Sequence, residues 1–298
     1  MSSAPGPIAV AGLGAMGLPM ARRLIDAGFE VRGTDRDAEA CQRIAAFGGI
    51  PAPDAAVAAA GARALLITVV SADQAEQVLF GPDGAAAALA PQAVVILSVT
   101  MAPEHAAGFG RLLADAGVAM LDCPVSGGIK RAAAGTLSLL ASGPPTALEL
   151  ARPYLSALGG TVFEIGPAHG QASAVKLLNQ ILCAVHLAAA GEVIALAERA
   201  GIDPQTVYDV VVASSGASWM FADRVPAMIA GAEEGQRTAA IDILLKDIRL
   251  ATGLGRSVGA ALPLAIAAEA LFSAASAAGL GQHNDSAIIE ILRGRRST

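Results

Sequence analysis

Apolar residues run in short unbroken blocks through the first half of the chain, and each block ends in glycine or a polar residue. "PIAVAGLG", "FEVRGTD", "ARALLITVV", "AVVILSVT" and "VAMLDCP" read as strands. Between them "MGLPMARRLIDAG", "DAEACQRIAAFG", "DQAEQVLFG" and "APEHAAGFGRLLADAG" carry apolar positions at helical spacing. Strands apolar on both faces that alternate with helices predict a doubly wound, mainly parallel sheet covered on both sides, a Rossmann-type α/β arrangement. "TLSLLASG" and "TVFEIG", on either side of the helical "PTALELARPYLSALG", predict an antiparallel extension of that sheet. After Gly166 the pattern is helical throughout. The expected boundary falls near residues 164–168, giving an α/β domain over 1–165 and an all-α domain over 166–298. A long helix at about 168–200 opens the second domain.

That helix poses the first chemical question. "QASAVKLLNQILCAVHLAAAGEVIALAERAG", residues 171–201, is apolar nearly all round, which predicts burial. At 100° per residue, Lys176, Asn179, Gln180 and Cys183 share one face. Leu177, Leu178, Ile181, Leu182, Val185 and Ala188 form the other. A lysine there either snorkels to the surface from the helix end or stands in a cleft. The segment alone leaves both readings open. His186, on the flank, reads as structural.

Composition narrows the classes. The chain has 298 residues, 54% hydrophobic and only 3% aromatic, so aliphatic side chains must fill the core. Mean hydropathy is +0.56. The longest uncharged run, residues 84–103, is nevertheless broken by Gly84, Pro91, Gln92 and Pro103, so no membrane span is expected. The start, "MSSAPGPIAVAGLG", has no basic region and leads directly into a strand, unlike a signal peptide. With 20 basic against 26 acidic residues, net charge −6 and no basic block, nucleic acid is not an expected partner. Cys41, Cys123 and Cys183 are widely spaced and form no metal or disulfide pattern, so no metal is expected and a reduced, cytoplasmic protein fits best.

"GLGAMG" supplies Gly12, Gly14 and Gly17 between the first strand and the first helix, the context that a dinucleotide-binding turn requires. Gly12 permits the tight turn, Gly14 lets a pyrophosphate approach the backbone, and Gly17 lets helix and strand pack. Leu13, Ala15 and Met16 complete the turn, whose free N–H groups suit phosphate. Asp35 ends the second strand, where a carboxylate accepts the adenosine ribose hydroxyls and repels a 2′-phosphate. That favours NAD over NADP, although the adjacent Arg36 could blunt the preference. Further on, "DCPVSGG" places Ser126, Gly127 and Gly128 at the carboxyl end of a strand. A hydroxyl and close N–H groups there suit a carboxylate, while a bare S-G-G is also an ordinary turn.

Four motifs in this order resemble the 3-hydroxyisobutyrate dehydrogenase-like, or β-hydroxyacid dehydrogenase, family over essentially the whole chain. They are "GLGAMGLPMARRL", "DCPVSGGIKRAAAGTL", "GPAHGQASAVKLLNQ" and "LLKDIRLA", and "GLGQHNDSAIIEIL" near the C-terminus also matches. Two stretches depart from the family pattern: "AHGQAS", in the turn before the lysine, and "SVTMAP", which still keeps Thr100. The resemblance implies an NAD(P)-dependent oxidoreductase with Lys176 as catalytic lysine and Asn179 as its partner. It also implies Thr100 and Lys246 near the nicotinamide, and Ser126, Gly127, Gly128 and Gln180 at the substrate. A lysine whose proton affinity is lowered by burial and by the positive nicotinamide ring can take the hydroxyl proton while hydride leaves carbon.

"SSGASWMFADR" (residues 214–224), "CAVHLAAAGEVIALAERAG" and "AAIDILLKD" are similar to the L-threonate dehydrogenase branch, which implies a four-carbon polyhydroxy acid oxidised at C2. Ser214, Ser215 and Ser218 are candidate partners for its hydroxyls, and Trp219 is either a core aromatic or a pocket residue. 3-Hydroxyisobutyrate dehydrogenase, tartronate semialdehyde reductase and a non-catalytic cofactor-binding module are the other readings. An imine reductase is disfavoured because those relatives replace the lysine. Apolar helices in the second half, including residues 258–279, predict a homodimer or homotetramer.

Overall fold

The computed structural model describes residues 6–231 and 239–294. The first five residues, part of the stretch read above as unlike a signal peptide, lie outside them. The chain divides into two compact units, Met1–Lys176 and Leu177–Thr298.

The first unit alternates strand and helix. Its strands are β1 (Ile8–Ala11), β2 (Val31–Thr34), β3 (Ile50–Pro51), β4 (Ala64–Ile67), β5 (Val94–Leu97), β6 (Ala119–Asp122), β7 (Val125–Ser126), β8 (Leu137–Ser142) and β9 (Gly159–Gly166). Its helices are α1 (Gly17–Asp26), α2 (Ala38–Ala45), α3 (Ala55–Ala59), α4 (Ala72–Phe80), α5 (Pro103–Asp115), α6 (Gly128–Ala134) and α7 (Pro145–Leu158). The parallel strands lie in the order β3-β2-β1-β4-β5-β6, the order of a dinucleotide-binding sheet. β8 then runs antiparallel to β6 and β7, and β9 pairs parallel with β8. The expected antiparallel extension is therefore a reversed pair, β8 with β9. The short elements β3, β7, α3 and α6 carry too few residues to show a period, and the sequence pattern missed them.

β1, β4 and β5 are buried along their whole length, as their unbroken apolar runs require. Ile8, Val10, Leu66 and Ile96 face one core layer with α1 and α7. Ala9, Leu65, Ile67 and Val95 face the other, against Ala58, Leu79 and Phe109. All five long parallel strands end at one edge. β1 gives way there to Gly12, β2 to Asp35, β4 to Thr68, β5 to Ser98–Thr100 and β6 to Cys123–Gly128.

α8 (Gln171–Arg199) leaves the first unit and continues into the second. The second unit adds α9 (Pro204–Val212), α10 (Trp219–Ala230), α11 (Ile241–Ser257), α12 (Pro263–Ala275) and α13 (Ile289–Arg293). Leu187, Ile194, Val225, Met228, Ile248, Phe272 and Ile288 fill its core. Length and composition alone would let two segments cross a membrane, Gln171–Arg199 and Pro263–Leu280. The first carries the buried Lys176 and supplies core residues of a helical bundle. The expectation that α8 is buried all round does not hold. Leu178, Leu182, Val193 and Leu196 are exposed and fall within a sector of about 60° at 100° per residue.

Candidate active site

The glycine turn is built by close packing at two of its three glycines. Gly12 has a φ of +93°, and a Cβ there would stand 2.9 Å from the Thr68 carbonyl oxygen. A Cβ on Gly17 would collide with the Gly12 carbonyl oxygen and the Thr68 hydroxyl. Thr68 holds this turn from the end of β4, its Oγ1 donating to the Gly12 carbonyl at 2.7 Å. At Gly14, among the described residues, no atom beyond the glycine and its two chain neighbours lies within 4 Å of a Cβ position. No protein atom therefore demands glycine there, and the space is open to a ligand. The start of α1 has no side-chain cap and no acidic residue in its first turn, so its N–H groups suit a pyrophosphate. Leu13 is buried, Ala15 is exposed and Met16 is half-buried.

Asp35 is tied to the same turn. Its Oδ2 accepts the Leu13 N–H at 2.6 Å and its Oδ1 accepts the Asp37 N–H at 2.9 Å. The carboxylate is thus fixed beside the glycine turn, while Arg36 is exposed next to it. These residues fit a nicotinamide dinucleotide: an open approach at Gly14, an uncapped helix start, and a fixed acceptor at the end of β2.

Thr100, half-buried, follows β5. Nearby, the Ser98 Oγ donates to the Cys123 carbonyl at 2.8 Å, joining the ends of β5 and β6. Ser126 and Gly127 are half-buried and Gly128 is exposed. Gly127 (φ +134°) and Gly128 (φ +68°) make a left-handed turn that opens α6, a conformation other residues rarely adopt. Burial pushes the Cys123 thiol well above its ordinary range, with the Asp122 charge adding to the shift, so it is no nucleophile.

Asp122, at the end of β6, was not singled out from the sequence, although it is the lone charge closing an apolar strand. It is fully buried. Its Oδ2 accepts the Gly170 N–H and the Ser173 N–H, each at 3.0 Å, and the Ser142 hydroxyl at 3.1 Å. Its Oδ1 accepts the Ser173 hydroxyl at 2.8 Å. Burial raises its carboxyl above the ordinary value of 3.8, and the four donors pull it back. The Ser142 Oγ also accepts the Ala172 N–H at 2.9 Å. The start of α8 is therefore held at the carboxyl edge of the sheet. Lys176, three residues beyond Ser173, is buried at 7% exposure. In the preceding turn, where the sequence departs from the family pattern, the His169 ring meets the Met120 carbonyl at 2.8 Å and packs where side chains on Gly110 and Gly143 would stand.

One turn along α8, the Asn179 amide donates to Gln180 Oε1 at 3.1 Å and reaches Cys183 Sγ at 3.4 Å. Gln180 donates to Asp247 Oδ2 at 2.6 Å, and Lys246 donates to the other oxygen of Asp247 at 2.6 Å. Asp247, nearly fully buried, thereby joins two predicted site residues, Gln180 and Lys246. Its place directly after Lys246 was its only sequence signal. Of the candidate substrate serines, Ser218 caps α10 by accepting the Phe221 N–H, and Ser214 donates to the Val210 carbonyl. Ser215 is exposed. Trp219 is not a core aromatic. It is 59% exposed, with the Arg224 guanidinium 5.7 Å from its ring centroid. Among the described residues no group of His, Cys, Asp and Glu could hold a metal ion.

A sheet in this order, with this turn and this acidic residue, defines a dinucleotide-binding protein, and comparison with known proteins makes it a nicotinamide-dependent oxidoreductase. Residues 7–166 match the NAD-binding domain of 6-phosphogluconate dehydrogenase, and residues 170–292 match the NAD-binding domain of NADP-dependent 3-hydroxyisobutyrate dehydrogenase. The chain is 45% identical to the L-threonate dehydrogenase of Cupriavidus necator, over 96% of both chains. Its structure is similar to a crystal structure of 3-hydroxyisobutyrate dehydrogenase from Salmonella typhimurium (TM-score 0.90, 38% identity, 96% of this chain and 99% of that one). It is also similar to Psf3 in complex with NADP+ and 2-OPP (TM-score 0.88, 29% identity, 96% and 99%). The chain belongs to the 3-hydroxyisobutyrate dehydrogenase-like family of NAD(P)-dependent enzymes acting on CH–OH donors. Its cofactor is NAD, with NADP as the other candidate.

Proposed function

We propose that this enzyme oxidises L-threonate at C2 to the 2-oxo acid, with Lys176 as general acid/base. The observation that carries the chemistry is the deep burial of Lys176 near the start of a helix held at the carboxyl edge of the sheet. The 45% identity to an L-threonate dehydrogenase supports the substrate. Ser126 and the N–H groups of Gly127 and Gly128 hold the substrate carboxylate. Lys176 Nζ takes the C2 hydroxyl proton as the C2–H bond breaks and the C2=O bond forms. The nicotinamide, when bound, accepts the hydride at C4. Asn179 orients the lysine or the substrate hydroxyl. Gln180, Asp247 and Lys246 form one hydrogen-bonded set in which Lys246 serves the nicotinamide and Gln180 lies near the substrate. Thr100 borders the nicotinamide, and the turn from Gly12 to Gly17 holds the pyrophosphate. The fixed carboxylate of Asp35 supports NAD over NADP.

Exposed Leu178, Leu182, Val193 and Leu196 on α8, with Leu264 and Ile266 on α12, support a homodimer or homotetramer. The similarity to metabolic dehydrogenases supports a cytoplasmic location. A panel of L-threonate, its C2 epimer, 3-hydroxyisobutyrate and tartronate semialdehyde, assayed with each cofactor in the productive direction, tests the substrate. Turnover of 3-hydroxyisobutyrate well above L-threonate would replace this reading. Lys176→Ala is expected to lower turnover by about 10² to 10⁴-fold with NAD still bound. Near-normal activity would remove Lys176 from the chemistry.

A further inference from the structure

The first turn of α8 cannot be capped by its own sequence. The residue before it is Gly170, which has no side chain. It sits at φ +92°, where a Cβ would stand 2.6 Å from the Pro103 carbonyl oxygen. The free N–H groups of a helix start still need acceptors. The Gly170 and Ser173 N–H groups find them in Asp122 Oδ2, and the Ala172 N–H finds one in Ser142 Oγ. Both acceptors stand on strands of the sheet, 48 and 30 residues earlier in the chain.

A local cap turns with its helix, whereas a cap anchored on the sheet fixes the helix against it. Asp122 does this at two points, with Oδ2 on the backbone and Oδ1 on the Ser173 hydroxyl. Ser173 and Lys176 are neighbours on one helix face, about 4.5 Å apart along the axis. A hydroxyl like that of Ser142 would satisfy a backbone donor at far lower desolvation cost than a fully buried carboxylate. The carboxylate supplies what one hydroxyl does not: acceptors for four donors at 2.8–3.1 Å, and a negative charge at the positive end of the helix.

We infer that Asp122 is a positioning residue for Lys176, its carboxylate setting the depth and rotation at which α8 presents the lysine to the substrate. This rests on Lys176 acting as general acid/base. The test is a double-mutant cycle with Asp122→Asn and Lys176→Ala, assayed with NAD+ and L-threonate, or with the fastest acid of the panel above. Asparagine keeps the shape of the side chain but puts an NH₂ where an acceptor stood.

In the wild-type background, Asp122→Asn is expected to lower kcat by about 10 to 100-fold, since a misplacement of about 1 Å can cost about 100-fold. The Kd for NAD+, measured on the folded variant, is expected to move less than about threefold. In the Lys176→Ala background, with turnover rescued by added ethylamine, Asp122→Asn is expected to change the rescued rate less than about twofold, because no lysine remains to position. A merely structural role would lower the melting temperature and leave kcat per folded molecule unchanged, which overturns the inference. An equal loss with and without the lysine also overturns it, by placing the effect elsewhere. Should Lys176→Ala retain full turnover without amine, the lysine reading fails first and the inference falls with it. If Asp122→Asn does not fold, Ser173→Ala takes its place. It removes only the hydroxyl contact to Oδ1, and a kcat loss of about threefold to tenfold, abolished in the same cycle, is expected.

Discussion

Gly14→Ala separates what the fold needs from what the cofactor needs. At Gly12 and Gly17 a methyl group would run into Thr68 or the Gly12 carbonyl, so alanine there damages the free protein as well as the turn. At Gly14 a Cβ meets nothing within 4 Å, and the residue is not in the left-handed region. Removing the extra freedom that glycine has in the unfolded chain should then leave the free enzyme as stable as before, or up to about 1 kcal/mol more stable. The cost appears only when a pyrophosphate approaches that backbone. A methyl group forced into an otherwise filled contact typically costs about 1–3 kcal/mol, which corresponds to a rise of about 5- to 150-fold in the Kd for NAD. Thermal melts without cofactor and calorimetric titration with NAD+ read the two halves separately. Wild-type affinity in a stable Gly14→Ala protein would refute the assignment of that space to the pyrophosphate. A large loss of stability without cofactor would refute the packing argument.

Three further outcomes are expected. Asp35→Ala should shift the ratio of kcat/KM for NAD over NADP toward NADP by about tenfold or more, since it removes the charge that repels a 2′-phosphate; an unchanged ratio would point to Arg36 instead. Asp203 caps α9 by accepting the Thr206 N–H and hydroxyl, which hold its carboxyl below the ordinary 3.8. Its folded value is depressed, so its stabilisation is present above 3.8 and lost as pH falls through the folded value. Asp203→Asn should therefore melt below wild type at neutral pH, with the gap closing under strong acid, and a gap independent of pH would contradict this. Light scattering at micromolar concentration should show a dimer or tetramer, and a stable, active 29.6 kDa monomer would defeat that reading.

Sequence pattern reaches furthest where one residue type has one physical use. β1, β4 and β5 were legible because a strand buried on both faces must be apolar throughout, and the glycine turn because it stands between such a strand and a helix. The Asp122 cap was not legible. It joins β6 to α8 across about 50 residues, and nothing local distinguishes a capping aspartate from an ordinary strand end. Asp247 was missed for the same reason, since its partner Gln180 lies 67 residues away. The burial of α8 was overestimated because an apolar surface reads alike whether a core or another chain covers it, and Leu178 and Leu182 are exposed in the single chain.

Polar residues around the proposed site contrast with Gly14 and Trp219. The buried ones have partners within the protein: Asp122 with Ser142 and Ser173, and Gln180 with Asp247. They are explained by the fold, since buried polar groups without partners are costly. Gly14 and Trp219 are not. The first is a glycine with no backbone or packing reason to be one, and the second is a large aromatic left 59% exposed at the start of α10. In a chain with only 3% aromatic residues, an exposed tryptophan is unlike the aliphatic residues that make up the core. Gly14 is accounted for once a pyrophosphate lies against it. Trp219 meets the Arg224 guanidinium and is otherwise largely exposed, and the same contrast of free-state stability with binding would decide its role. Trp219→Ala should leave the free enzyme's melting temperature nearly unchanged, and a raised KM for the acid with unchanged NAD affinity would assign it to the substrate.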